Sequence, residues 1–501
     1  MILNVDGEIS RYYAESLVLL FFPGSKFPED STLDTDRIRV NITAKLTNDS
    51  SYAEVIIADD NGCVVKGSYT VPKEICSDKT DEMKLKIASG GAMLKVGSEY
   101  TGVFPPWGML TGVRPAKMAA EIMSKGNNNK QTEKALCDIF LCKEEKAKLA
   151  VLTAQTESVF ITEKARNECS VYIAIPFCPS KCSYCSFVSF TSARLLSLIP
   201  QYIDALINDI KARFELIRDL GLRVSTVYIG GGTPTVLSAD QLRCLLKCVS
   251  ECTNVYELDE FTLEAGRPDT ITVEKLAIAK EFGVTRISVN PQTLNDQVLT
   301  NIGRAHNTED FFKAYDIAQK AGIRDINVDL IAGLPGESID SFKNSLDRIC
   351  DLSPTNITVH TFYAKRAADV VKNNKSVYRL SDIDTCAAVD YSQRKLLSCG
   401  YLPYYMYRQK NTVANLENVG YSKPGHEGIY NIMMMDEIHS VFGAGASAMT
   451  KLVSRNTNNM KIVRICEPKY PYEFLDDHNG ITGNNRREHL RNEAVKFYSQ
   501  Y

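Results

Sequence analysis

Apolar and polar positions alternate through most of the first hundred residues. The runs ESLVLLFF, RIRVNITAKL, SYAEVIIAD and CVVKGSYTV read as strands, with turn residues such as Asp59-Asp60-Asn61-Gly62 between them. A small antiparallel β domain within 1–114 is therefore expected, and it carries no chemical motif. At its end PPWGMLTGVRP holds the single tryptophan, Trp107. The density of Pro and Gly there predicts a fixed loop that packs the β domain onto its C-terminal neighbour, and Arg114 can meet a carboxylate. From 115 to 169 the period lengthens to that of helices (KMAAEIM, EKALCDIFL, EEKAKLAVLTA), a helical connector.

Between 170 and 365 strand-like and helical runs take turns. The strands read VYIAI, STVYIGG, EFTLEAG, VTRISVN, DINVDLIAG and NITVHTF, and helices such as PQYIDALINDIKARFELIRDL and ADQLRCLLKCVS lie between them. Strict alternation implies parallel strands joined by right-handed crossovers, an α/β class. Six such units are too few to close an eight-fold barrel. The pattern changes again over 380–501, where a helix at IDTCAAVDYSQRKLLS precedes PYYMYRQKN, NLENVGY and HSVFGAGASAMTK.

Composition narrows the class of protein. With 501 residues, 44% hydrophobic content and net charge -3, the chain suits a soluble globular protein of two or three domains and offers no basic footprint for nucleic acid. SLVLLFF is too short to cross a bilayer and MILNVDGEIS lacks the features of a leader, so no membrane and a cytoplasmic location are expected. Fifteen cysteines without an export signal argue for reduced thiols.

Three of those cysteines carry the chemistry. Cys178, Cys182 and Cys185 form C-x3-C-x2-C directly after the apolar run that ends at Pro176. Three thiolates on one loop can hold three irons of a [4Fe-4S] cluster and leave the fourth iron open to the amine and carboxylate of S-adenosylmethionine (SAM). The alternatives are a zinc site or unrelated core cysteines. A structural zinc usually takes a second C-x2-C pair or two spaced histidines, and neither occurs nearby. One strand later Gly230-Gly231-Gly232-Thr233-Pro234-Thr235 allows close backbone approach to a small zwitterion. Glu264, Gln292, Arg304 and Asp329 fall at successive strand ends, where two carboxylates, an amide and a guanidinium suit ribose hydroxyls and a sulfonium. Taken singly they read as caps, surface ion pairs or backbone partners.

The flanked triplet Y-I-x-I-P-F-C-x3-C-x-Y-C and GGGTPT resemble the radical SAM superfamily, and within it the oxygen-independent coproporphyrinogen III oxidase group. PPWGMLTGVRP, PYYMYRQKN and NLENVGY resemble that group's longer branch, coproporphyrinogen dehydrogenase of the Z type. The resemblance implies a partial (β/α)6 barrel with an N-terminal β-rich domain and a C-terminal α+β domain covering the substrate. It implies a cluster held by Cys178, Cys182 and Cys185, and one or two SAM molecules contacted by Tyr172, Tyr184, Gly231, Gly232, Thr233, Pro234, Glu264, Gln292, Arg304, Asp329 and Met449. Lys365, Arg366, Arg408 and Lys410 are candidate clamps for propionate carboxylates.

The expected activity is oxidative decarboxylation of two propionates of coproporphyrinogen III to vinyls, by a monomer that takes electrons from a flavodoxin- or ferredoxin-type donor. One departure bears on it: the best-studied oxidases carry a further cysteine where Phe187 stands. Relatives without that cysteine include haem chaperones and methylating, haem-degrading enzymes. A haem-binding and transfer protein, with His360 or His439 as axial ligand, and a haem-modifying methyltransferase therefore stay open as alternatives.

Overall fold

Strands β1 (Ile2–Gly7), β2 (Ile38–Leu46), β3 (Ser51–Asp59) and β4 (Val64–Thr70) form one sheet in that order. β1 lies parallel to β2 and the other pairs are antiparallel. Two segments differ from the strands expected here. The start of ESLVLLFF belongs to a helix, Arg11–Val18, whose N-cap Ser10 accepts a hydrogen bond from the Tyr13 amide. A second helix, Asp81–Thr101, packs across the sheet with Gly91 pressed so closely on the Tyr69 ring that a Cβ would lie 2.5 Å from it. Helices Pro115–Met123, Asn129–Phe140 and Glu144–Ser158 come next.

The second sheet is built on β5 (Glu168–Ile175), β6 (Arg223–Gly231), β7 (Glu260–Glu264), β8 (Arg286–Ser288), β9 (Asp325–Ala332) and β10 (Asn356–Thr361). All six are parallel and adjacent in sequence order. Helices Ile199–Asp219, Ala239–Cys252, Val273–Glu281, Thr308–Lys320 and Ile339–Leu352 connect them. This is the partial (β/α)6 barrel. Fully buried Val171, Ile173, Ile175, Val227, Ile229 and Leu263 alternate along paired strands and so form one continuous apolar face of the sheet, while Tyr172, Tyr228 and Glu264 fall on the other.

The C-terminal part continues this sheet at both edges. β11 (Leu402–Arg408) and β12 (Glu417–Ser422) join antiparallel beside β10, whereas β13 (Ser440–Ala444) runs parallel to β5 and leads to β14 (Met449–Val453) and β15 (Ile462–Cys466). Strands of the described stretch from 383 onward therefore extend the barrel wall on either side. The computed structural model describes residues 1–27, 38–46, 50–72, 75, 79–112, 114–185, 188–363, 383–409, 415–455, 460–479 and 481–500.

The PPWGMLTGVRP loop is a junction, as its punctuation suggested. Trp107 is buried and its Nε1 donates to Glu417 Oε2 at 2.7 Å. Lys146, on helix Glu144–Ser158, donates to the other carboxylate oxygen at 2.6 Å. Burial alone would lower the Lys146 ammonium, but the charges of Glu417 and Asp390 outweigh it and raise it. Arg114 pairs with Glu437 at 3.2 Å and donates to the Met435 carbonyl. Among the described residues no helix is long and apolar enough to cross a membrane, and no cysteine is in a disulfide.

Candidate functional site

The cysteine loop leaves β5 and is pinned at several points. Cys178 N–H donates to Phe190 O, Ser183 N–H to Ile302 O, and Cys185 N–H to Cys182 O. The glycine segment after β6 closes against it: Gly232 N–H reaches Ile175 O and Thr233 N–H reaches Phe177 O, both at 2.8 Å. Only glycine fits at 231 and 232. Gly231 sits at φ +115°, and a Cβ on Gly232 would lie 2.5 Å from Phe177 O and 3.0 Å from Cys178 Sγ.

A cavity of about 330 Å³ opens at the carboxyl ends of the barrel strands. Cys178, Cys182 and Cys185 line one side of it, together with Tyr184, Gly231, Gly232 and Thr233. Glu264, Gln292, Arg304 and Asp329 line it as well, so eleven of the residues picked out from sequence converge there. Others do not. Tyr172 lies outside the lining, its ring beside the stacked pair of Tyr228 and Tyr430 at 6.0 and 6.4 Å. Pro234 opens a short turn outside the lining, and Met449 packs its backbone against Gly443.

Arg408 is a correction. Alternation along β11 turns Tyr405, Tyr407 and the following Gln409 to the cavity and Arg408 away from it. Its guanidinium is buried against the Trp107 ring and donates to the carbonyls of Leu110 and Asn415, so it fastens the junction and clamps no substrate. Lys365, Arg366, Lys410 and Phe187 lie outside the described residues. His439 is also away from the cavity: it is buried near the start of β5, shares a hydrogen bond with Ser170 Oγ at 2.8 Å, and burial pushes it down to about 4.

The carboxylates are held in opposite states. Burial pushes Glu264 up to about 7 and nearby Asp329 adds to the rise, against hydrogen bonds from Tyr228 Oη (2.5 Å) and Gly231 N–H (3.3 Å). Burial would raise Asp329 too. There, however, His360 at 3.7 Å, Asn327 donating at 2.7 Å and Thr358 prevail, and the group sits below its ordinary value. Gln292 is held at φ +71° between two hydrogen bonds to β9, through Asp329 O and Ile331 N–H.

His360, a candidate axial ligand, and Tyr405, Tyr407 and Asn418, from the PYYMYRQKN and NLENVGY stretches whose tyrosines suit stacking on a flat macrocycle, reach the cavity; Arg267 and Asn431 reach it too, and sequence reasoning missed them. No motif frames them; the available signal was their position at the same end of the sheet. Arg304 and Arg267 bracket the thiol loop. Arg304 donates to Tyr184 Oη at 2.9 Å and to Gly266 O, and Arg267 donates towards Cys182 Sγ at 3.4 Å.

The donor set fits an iron-sulfur cluster. Cys178, Cys182 and Cys185 present three thiols from one loop to the same cavity, and a cuboidal cluster takes one thiolate per iron. Burial pushes the Cys178 thiol above its ordinary value, and the Arg267 charge opposes that only weakly. The amides of Gly231, Gly232 and Thr233 are engaged by Glu264, Ile175 O and Phe177 O, so what the glycine cradle can offer the ammonium of an amino acid is its carbonyl oxygens.

The sequence profile of the Radical SAM superfamily matches residues 172–349, and proteins of that superfamily bind a [4Fe-4S] cluster and SAM. An oxygen-independent coproporphyrinogen-III oxidase-like protein of Bacillus subtilis strain 168 is 37% identical over 409 residues, 80% of this chain and 78% of that protein. A haem chaperone of Lactococcus lactis is 32% identical over 281 residues, covering 56% and 69%. Among solved structures, coproporphyrinogen III oxidase from Escherichia coli aligns with a TM-score of 0.47 at 22% identity, over 61% of this chain and 70% of that one. The chain belongs to the radical SAM superfamily and, within it, to the oxygen-independent coproporphyrinogen III oxidase-like family.

Proposed function

We propose that this protein converts coproporphyrinogen III to protoporphyrinogen IX without oxygen. Cys178, Cys182 and Cys185 are the cluster ligands in this reading, and SAM lies against Gly231 to Thr233 with Glu264, Gln292, Arg304 and Asp329 around it. Bound there, the cluster and SAM would supply the radical chemistry that removes a hydrogen atom from the β-carbon of a propionate. Loss of carbon dioxide and of one electron to an acceptor then leaves a vinyl group. A flavodoxin- or ferredoxin-type protein is the expected electron donor.

The chain's own residues orient the reactants and keep water out. The observation that carries the reading is that the three-thiol loop and residues of the β11 wall line one and the same cavity. Tyr405 and Tyr407 stand there in parallel, 6.4 Å apart and 12° between planes, and offer flat amphipathic surface to a macrocycle. Gly420 opposite makes room, since a Cβ would lie 2.0 Å from the Tyr405 ring. Gln409, Asn418 and Asn431 add hydrogen-bond donors for carboxylates.

A haem-transfer role is the second reading, favoured by His360 in the cavity lining and by the haem chaperones among the relatives. A SAM-dependent methyl transfer to haem is the third. Anaerobic incubation of reconstituted protein with dithionite, SAM and coproporphyrinogen III separates them. Product lighter by two carbon dioxide and four hydrogens, with two 5'-deoxyadenosine per molecule, is expected. Tight haem binding without turnover would select the chaperone, and methylated or opened haem the third.

A further inference from the structure

Arg267 follows β7 in EAGRPDT and is 3% exposed. Its Nη1 lies 3.4 Å from Cys182 Sγ and 3.4 Å from Ser180 O, and its Nη2 donates to Ser180 Oγ at 2.8 Å. Nothing in the reaction requires a guanidinium there. Its Nε is paired with Asp269 Oδ1 at 3.1 Å, so the cation faces a thiol on one side and a carboxylate on the other.

A cuboidal cluster with three thiolates carries negative charge, and gains one more negative charge when it is reduced. A cationic donor to a ligand sulfur stabilises the reduced state more than the oxidised one, and in a buried site water screens little of the difference. Asp269 acts in the opposite sense by neutralising part of the guanidinium. Arg304 cannot take over this task, because its hydrogen bonds go to Tyr184 Oη and Gly266 O.

We propose that Arg267 is a positioning residue that raises the reduction potential of a cluster bound at Cys182, with Asp269 as its counterweight. The pair thereby sets which low-potential electron donors can drive the protein. The inference rests on Cys178, Cys182 and Cys185 being the cluster ligands.

The test is a redox titration followed by electron paramagnetic resonance on anaerobically reconstituted wild type, R267Q, R267K and D269N, with iron counted per chain. At a fixed solution potential R267Q should show at least a tenfold lower ratio of reduced to oxidised cluster, a shift of about 59 mV downward for a one-electron couple. D269N should shift the ratio the other way, and R267K should fall between R267Q and wild type. Midpoints of R267Q and D269N that stay with the wild type, or move in the same direction, overturn the proposal. If R267Q retains no iron, D269N decides alone: an upward shift supports the tuning role and an unmoved midpoint refutes it. Wild type without cluster iron would refute the cysteine assignment itself, and the iron count distinguishes that result.

Discussion

Replacing Glu264 by glutamine should stabilise the metal-free protein, and should do so only above acidic pH. Burial holds the Glu264 carboxyl at about 7, against an ordinary value of 4.5. Between those values the folded protein keeps a proton that the unfolded chain has released, so stability falls as pH rises through the interval. At 1.36 kcal/mol per unit the loss reaches roughly 3 kcal/mol by about pH 8. Glutamine carries no charge and can still accept the Tyr228 hydrogen bond, so the variant escapes this loss. With a barrel unit of roughly 330 residues, 3 kcal/mol corresponds to a rise in Tm of about 4 °C. Calorimetry of the metal-free protein from about pH 4.5 to pH 8 should show a difference near zero at the acid end that grows steadily. A variant less stable than wild type at pH 8, or a difference independent of pH, would refute the reasoning. The same substitution should weaken SAM binding, since a carboxylate raised towards neutrality is poised to ionise when a sulfonium arrives.

Other substitutions probe the remaining parts. Gly232→Ala forces a methyl onto Phe177 O and Cys178 Sγ and should abolish iron retention while far-ultraviolet circular dichroism stays unchanged; normal iron content would contradict the cradle. Glu417→Ala leaves Lys146 without its nearest buried partner and Trp107 without an acceptor, and should cost about 3–5 kcal/mol in denaturant unfolding. A loss below about 1 kcal/mol would mean the junction carries little of the stability. His360→Ala removes a group that holds Asp329 down, so burial then dominates and the carboxyl rises. SAM binding measured against pH should weaken at a higher pH than in wild type, and an unmoved profile would exclude the coupling.

The barrel was legible because each β-branched run is followed by turn residues and then by a helical period, and the pattern resolves both elements. The cluster loop was legible because its thiols share one loop, whose spacing survives any error in the surroundings. Of the four residues expected at strand ends, Glu264 closes β7 and Gln292 follows β8, whereas Asp329 lies within β9 and Arg304 in the loop before helix Thr308–Lys320; all four line the cavity nonetheless. Other features depended on tertiary structure. An eight-residue apolar run such as ESLVLLFF fits strand or helix equally well, and only the Ser10 cap and its packing decide. Helix Asp81–Thr101 contains glycines that weaken a helical pattern, yet Gly91 and Gly97 are the positions that let it lie against the Tyr69 and Phe21 rings. The misplacement of Arg408 was one of parity: alternation in PYYMYRQKN is plain, but which set faces the cavity depends on the register with β12, broken between Pro403 and Tyr405. Arg267 had no motif around it, and only folding brings it beside Cys182.

The most direct test of the account is the amount of 5'-deoxyadenosine released from SAM by anaerobically reconstituted, reduced protein, compared with variants in which Cys178, Cys182 or Cys185 is alanine. The account predicts cleavage by the wild type, with four irons per chain, and none by any of the three variants. Cleavage that survives loss of a thiol, or a wild type that binds zinc at these positions and leaves SAM intact, would contradict it.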